Sequence, residues 1–236
     1  GTTYTDTTAK PGTAYTYGVK ARDSSGNISP MSDPVTVATG APLFSDDFEG
    51  TGSGCALSSA WNQPVNPRFL VQQEAGATPA NCEALAASTG QNVFVSKTLS
   101  TSQSDLYMQE RFRVASQSSP VSLLRLKDAS GVTVYSLSVG GTGKLNGRNE
   151  LQNKTTGSGI AVGPGTGWHT VTVHLSIGAP DHVDVWLDGN KVPLLSMDDA
   201  LGSGQLRTVS VGDNKSGRTF RLEFDDVKVD SGAIPH

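Results

Sequence analysis

The stretch that most constrains this chain runs from Gly167 to Asp188, GWHTVTVHLSIGAPDHVDVWLD. Two runs of alternating residues flank a Gly-Ala-Pro-Asp turn, and the second ends in Asp188-Gly189-Asn190, a strong hairpin signal. Side chains alternate across a strand, so Val171, Val173, Leu175 and Ile177 share one face with Val183, Val185 and Leu187 of the partner. That much apolar surface demands a second sheet to cover it. The opposite face carries Trp168, Thr170, Thr172 and His174 on one strand, and Asp184 and Trp186 on the other.

The rest of the composition agrees with a β protein rich in turns. Among 236 residues there are 27 Gly and 12 Pro, with 17% charged and 6% aromatic residues, and few segments carry helical periodicity. A net charge of −4 without a Lys/Arg cluster argues against a nucleic-acid partner. No apolar run approaches the length of a membrane span. The two cysteines, Cys55 and Cys82, lack the spacing of a zinc site and are expected to form one disulfide. Closing that loop stabilises by roughly 3 to 4 kcal/mol in the chain-entropy model and points to an oxidising, extracellular compartment. With no signal peptide and Gly1 at its start, the sequence reads as a mature or excised piece of something longer.

Residues 1 to 40 form a first unit. Tyr15, Tyr17, Val19 and Ala21 alternate with Thr16, Gly18 and Lys20; Asp23 to Asn27 is a turn, and Val35 to Val37 a second strand. Lys-Pro-Gly-Thr-x-Tyr-x-Tyr-x-Val-x-Ala, then Asp-x-x-Gly-Asn-x-Ser and Pro-Val-Thr-Val, resembles the C-terminal half of a bacterial fibronectin type III domain. Tyr15 would then hold the tyrosine-corner position. About forty residues are too few for a seven-stranded sandwich, so exposed strand edges and self-association through them are expected.

Residues 41 to 236 form one large all-β domain. Thr51 to Ala87 is irregular and holds both cysteines, with a strand at Arg68 to Gln72 and a helical turn near Glu83 to Ala87. Strands then follow at Val93 to Thr98, Leu106 to Val114, Ser122 to Lys127, Val132 to Val139, Arg148 to Lys154, the hairpin, Val209 to Val211 and Phe220 to Val229. Such spacing means a two-sheet antiparallel sandwich or jelly roll. The order F-x-DDFEG, LYMQERFRV, GWHTVTVHL, VDVWLDG and FRLEFDDVKVD resembles the concanavalin A-like, laminin G-like jelly rolls. These motifs mainly report strand packing, so fold follows from them more safely than function.

Three constellations are candidates for chemistry. Asp46, Asp47 and Glu49 in the opening loop face Asp225 and Asp226 of the last strand if those two segments are neighbours. Hard oxygen donors from two segments are what Ca²⁺ requires, and the resemblance implies a structural Ca²⁺ there, against the alternative of two solvated acidic turns. The second is the polar sheet face. Gln109 and Arg111 beside Tyr107 and Arg113, and Glu150 beside Arg148, Gln152 and Lys154, join His174, Asp184 and Trp186 in a groove. An indole stacks on a sugar ring while planar groups fork onto its hydroxyl pairs; Trp186, and Trp61 in the long loop, are the expected platforms. The third is catalysis. Asp184-x-Trp186-x-Asp188 and Glu223-x-Asp225 approach the paired carboxylates of a glycosidase. A turn and the Ca²⁺ site compromise them, and the Gln-x-His strand of the polysaccharide lyases is absent. The Asn-x-Ser/Thr triplets at Asn27, Asn153 and Asn214 are read as accidental.

The expectation is therefore a secreted, noncatalytic carbohydrate-binding module of a larger protein, with a polysaccharide as its partner. A structural or adhesive module, or a glycoside hydrolase or lyase domain, stands as the alternative.

Overall fold

The computed structural model describes Asp6, Ala9 and residues 13–38, 40–50, 54–62, 65–78 and 80–234. The chain divides into two compact units, Gly1–Pro42 and Leu43–Ile234. In the first, β1 (Ala14–Tyr17) pairs antiparallel with β2 (Val35–Ala38), placing Tyr15 opposite Val37 and Tyr17 opposite Val35. Between them Asp23 closes an Asx turn, its Oδ1 accepting from the backbone N–H of Ser25 and Asn27 at 2.9 and 2.8 Å. Val19, Ile28, Met31 and Val35 remain 60 to 70% exposed.

The second unit is an antiparallel two-sheet sandwich. It opens with β3 (Phe44–Asp46), β4 (Phe69–Gln73), β5 (Cys82–Thr89), β6 (Val93–Gln103) and β7 (Asp105–Gln117). There follow β8 (Val121–Asp128), β9 (Thr133–Val139), β10 (Lys144–Asn149), β11 (Lys154–Ala161), β12 (Trp168–Ser176) and β13 (His182–Leu187). Short β14 (Asn190–Lys191) and β15 (Met197–Asp198) precede β16 (Leu206–Asp213) and β17 (Thr219–Asp230). One sheet has six strands in the order β11-β10-β9-β8-β16-β6; the other has nine, with β14-β13-β12-β7-β17-β5-β4 as its path, β15 beside β13 and β3 beside β17. Among the described residues no helix is long and apolar enough to cross a membrane.

The hairpin forms as the alternation requires. Val171 pairs with Leu187, Val173 with Val185 and Leu175 with Val183, and all six side chains are buried between the sheets. Asp188 and Gly189 take φ of 50° and 78°, the pair of positive values that a two-residue turn between right-twisted strands needs. The inner residues of β8 and β16, Leu124, Leu126, Val209 and Val211, supply the covering surface.

Two expected elements are replaced. The helical turn at Glu83 to Ala87 lies inside β5, between β17 and β4, with Glu83, Leu85, Ala84 and Ala86 all buried. Alanines that favour a helix in isolation fit a strand hemmed in on both faces, and tertiary context overrides propensity. The strand expected at Arg148 to Lys154 is broken: Arg148 and Asn149 end β10, Lys154 opens β11, and residues 150–153 are the turn between them, in which Asn153 adopts a positive φ of 51°.

Candidate functional site

The outer face of the nine-stranded sheet gathers most of the expected polar residues, and it has two halves. Cross-strand pairing sets Trp168 beside Arg113, Thr170 beside Arg111, Thr172 beside Gln109 and His174 beside Tyr107. On the other flank β17 sets Glu223 beside Arg113 and Asp225 beside Arg111.

In the first half the charges neutralise one another. Arg111 bonds Asp225 at 2.9 Å and lies 3.5 Å from Glu74, while Arg113 pairs with Glu223 and sits 3.5 Å from Glu83. Both guanidinium groups lie over the Trp168 indole, at 4.1 and 4.8 Å, and that indole donates to Glu74 at 2.5 Å. Burial pushes the Glu74 carboxyl up, but its bonds from Asn81 and Trp168 and the two arginines bring it below the usual range. Glu83 goes the other way, raised by burial with Glu223 nearby. Burial likewise raises Asp225, which also accepts from Asn81 at 2.9 Å. Gln109 is buried and donates to Thr172 at 2.9 Å. Matched pairs of this kind hold three strands in register and offer a ligand little that is unspent.

The second half is more open. Trp186 is half-buried with the Lys191 ammonium 5.7 Å from its ring centre. Lys191 reaches Asp184 at 2.7 Å, and Asp184 also takes His182 Nε2 at 3.1 Å. His174 stacks flat on Tyr107 with 4.0 Å between ring centres, its Nε2 3.1 Å from Asp105. The hydrogen bond from His182 to Asp198, together with Asp184, raises the His182 pKa in spite of burial. Aromatic plates and forked polar groups here share one surface.

Trp61 and Glu150 do not join it. Trp61 is 2% exposed, edge-on to Phe44 at 4.6 Å, and its indole donates to Asp46 at 2.6 Å. A core indole has no free face to stack on a sugar, so it is a loop anchor and not a platform. Glu150 belongs to the six-stranded sheet, where it accepts from Arg148 at 2.8 Å and Ser136 at 2.7 Å. Glu150 opens the turn at 150–153 that follows β10, the strand of Arg148, and so both lie on the opposite side of the sandwich.

The ends of the domain do meet: Asp46 pairs with Val227 across β3 and β17. Asp46 is spent on the loop, accepting from the N–H groups of Phe48 and Ser58, both at 3.0 Å, besides Trp61. Glu49 accepts from the Cys82 N–H at 2.6 Å, next to Asn81, which bonds Asp225. Asp47 and Asp226 are exposed on the rim of an open cavity of about 640 Å³. Among the described residues no group of three or more His, Cys, Asp or Glu side chains is gathered as a metal site. The Cys55–Cys82 disulfide is formed, with Cα atoms 5.5 Å apart, and it ties this loop to β5.

Sequence reasoning missed Arg125 on the outer face of the six-stranded sheet. It is 3% exposed, and its Nε and Nη2 have no hydrogen-bond partner. A lone arginine in the otherwise apolar run Leu123 to Leu126 was the available signal. Glu110 is its counterpart in the core. Its side chain is fully buried on the inner face of β7 with both oxygens unpartnered, and burial pushes its pKa up to about 8.

No protein-family model matches the chain, and no curated protein matches its sequence. Solved structures do. "Cellulose induced protein, Cip1" superposes with a TM-score of 0.62 at 17% identity, covering 82% of this chain and 99% of that one. An endo-β-1,4-glucuronan lyase from the fungus Trichoderma reesei gives 0.55 at 13% identity, covering 81% and 96%. The carbohydrate recognition domain of Emp47p gives 0.53 at 13% identity with the same coverage. At these identities the likeness establishes the fold alone: the chain contains a jelly-roll β-sandwich.

Proposed function

We propose that this chain is a noncatalytic carbohydrate-binding module of a secreted protein, with its glycan laid over the open half of the nine-stranded face. The observation that carries the reading is Trp186: a half-buried indole among Lys191, Asp184 and the Tyr107–His174 stack. Stacking on the C–H face of a pyranose combined with charged and planar hydrogen-bonding neighbours is the chemistry of sugar recognition. The neutralised first half holds this surface in shape, with Gln109 and Arg111 as supports in place of the ligand contacts expected of them. That one similar structure is a carbohydrate recognition domain favours the reading, and the disulfide fits an oxidising compartment. Affinity electrophoresis on gels cast with plant, algal and bacterial polysaccharides tests it. Trp186→Ala is expected to abolish retardation while Trp168→Phe retains it; equal retardation of Trp186→Ala and wild type would remove the platform.

A structural Ca²⁺ belongs to the same proposal. Glu49 and Asp225 bracket the Asn81–Cys82 segment with hard oxygens, the donor chemistry the ion prefers. The ion would take the place of the N–H groups those carboxylates now accept. Asp46 and Asp225 each accept from three donors, so at either residue the ion would displace one of them, with Asp47 and Asp226 as outlying oxygens. Millimolar CaCl₂ is expected to raise Tm over that in EDTA, and Glu49→Gln to remove the difference.

The exposed Val19, Ile28, Met31 and Val35 favour a second reading. In it the first unit, a fibronectin type III-like remnant, joins chains into an extracellular assembly by strand addition. Light scattering behind size exclusion separates the two: ordered oligomers without glycan affinity would support assembly, and a glycan-binding monomer would exclude it.

A further inference from the structure

The six-stranded sheet also has an outer face, and one row across it reads Ser96, Ser210, Arg125, Ser136, Arg148 and Thr155 in successive strands. Its centre is unusual. The lateral neighbours of Arg125 are two serines, so the side chain lies down along the sheet instead of being held up by bulky partners. It crosses β16, donates from Nη1 to the Gly212 carbonyl at 3.4 Å, and rests over the Phe94 ring at 5.2 Å. Gly212, at a positive φ of 98°, has no room for a Cβ, which would meet the Val93 carbonyl oxygen at 2.5 Å.

What remains is one whole edge of the guanidinium. Nε and Nη2 are buried without a partner, and so is the Oγ of adjacent Ser210. Those two nitrogens are the pair that receives a planar acceptor side-on through two parallel bonds. The acids nearby are already engaged. Asp213 takes Arg218 at 2.7 Å and the backbone of Ser122 and Lys215, and Glu150 takes Arg148 and Ser136. Burial lowers the Arg125 pKa to about 10, which leaves the group charged at neutral pH. A buried, charged and unmatched fork is costly to keep unless an acceptor arrives to complete it.

We propose that this face is a second glycan-binding surface and that its ligand carries a carboxylate, a uronic-acid-containing polysaccharide docking that group on the Nε–Nη2 edge of Arg125 with Ser210 Oγ beside it. A neutral hydroxyl pair fits the geometry but brings no charge to offset the desolvated cation. General attraction of polyanions is opposed by the net charge of −4, so selection falls to the fork itself. The edge is screened from solvent, so docking requires the guanidinium or the Phe94 ring to turn aside. The surface is separate from the Trp186 half of the other sheet, and neither site depends on the other.

Isothermal titration of the whole chain with oligogalacturonate, oligoglucuronate and oligoalginate, each paired with its carboxyl-reduced form, tests the proposal. At least one acidic oligomer is expected to bind, and its reduced form to bind at least about ten-fold more weakly. Arg125→Lys keeps the charge but loses the fork and should cost a similar factor, and the same loss should appear in a Trp186→Ala background, where the other face no longer contributes. Failure of every acidic oligomer to bind, equal affinity for a reduced form, or full affinity in Arg125→Lys would overturn the assignment. Should that variant not fold, the wild-type Arg125 Nε–H resonance gives the second readout: a shift on titration supports the contact, and an unmoved resonance under saturating oligomer overturns it.

Discussion

The central arginines on the two outer faces of one sandwich are treated in opposite ways. On the nine-stranded face Arg111 and Arg113 stand across from Asp225 and Glu223, and Glu74, Glu83 and Trp168 close the network around them. On the six-stranded face Arg125 has serines on both sides and no acid within bonding distance. The density of charge therefore misleads as a guide to where a ligand binds. A saturated network stiffens the sheet, and a single cation left without its acceptor is the better pointer to a partner.

The largest test of that contrast lies on the strand that carries the saturated pairs. β7 turns Arg111 and Arg113 outward, but its inward Glu110 is fully buried with nothing to bond. The folded pKa of about 8 stands above the ordinary value of 4.5, so the native state holds the proton more tightly than the unfolded chain. Its contribution is therefore undiminished below pH 4.5, is lost as pH rises from there to 8, and then stays level. At 1.36 kcal/mol per unit the loss is of order 5 kcal/mol over that window. Urea unfolding of wild type and Glu110→Gln between pH 4 and 9 measures it, and a stability difference that does not change with pH would show that Glu110 has found a partner.

Next in size is Arg113→Ala. It strands buried Glu83 without a cation and leaves buried Glu223 with Arg221 alone, at 2.9 Å. Breaking a buried pair from one side costs about 3 to 5 kcal/mol, and the 29% exposure of the Arg113 side chain places the expectation near 3. Urea midpoints at pH 7 give the number. A cost below about 1 kcal/mol would mean that the network is surface decoration, and the contrast between the faces would collapse.

The sequence could be read where the determinants are local. The Val171 to Leu187 alternation and the Asp188-Gly189 turn each sit within a few residues of their partners, and both formed as expected. The pairing of Cys55 with Cys82 was legible because no other cysteine competes. What failed was everything that depends on which strand joins which sheet. Glu150 looked like a neighbour of Trp186 because both lie on polar parities, yet they belong to opposite sheets, and parity carries no record of topology. Trp61 sits among Asn, Gln and Pro in an irregular loop and looked exposed; its burial depends on an acceptor, Asp46, fifteen residues earlier. Asn149 and Asn153, turn residues in plain sight, were the unused warning that Arg148 to Lys154 bends.

The smallest expected effect is the most pointed. If the six-stranded face keeps Arg125 for a ligand and not for the fold, Arg125→Met should cost almost nothing in the unliganded chain. The variant gives up one long bond to Gly212 and the contact with Phe94, and it is relieved of two buried N–H donors that have no acceptor. Replacing unmatched buried polar groups with an apolar chain of similar length is near neutral or stabilising by about 1 kcal/mol. The same substitution at Arg113 removes a matched cation and should fall with Arg113→Ala, near 3 kcal/mol. Arg125→Met and Arg113→Met unfolded side by side in urea thus separate an arginine held for the sheet from one held for a partner, and equal losses at the two positions would mean that Arg125 is structural after all.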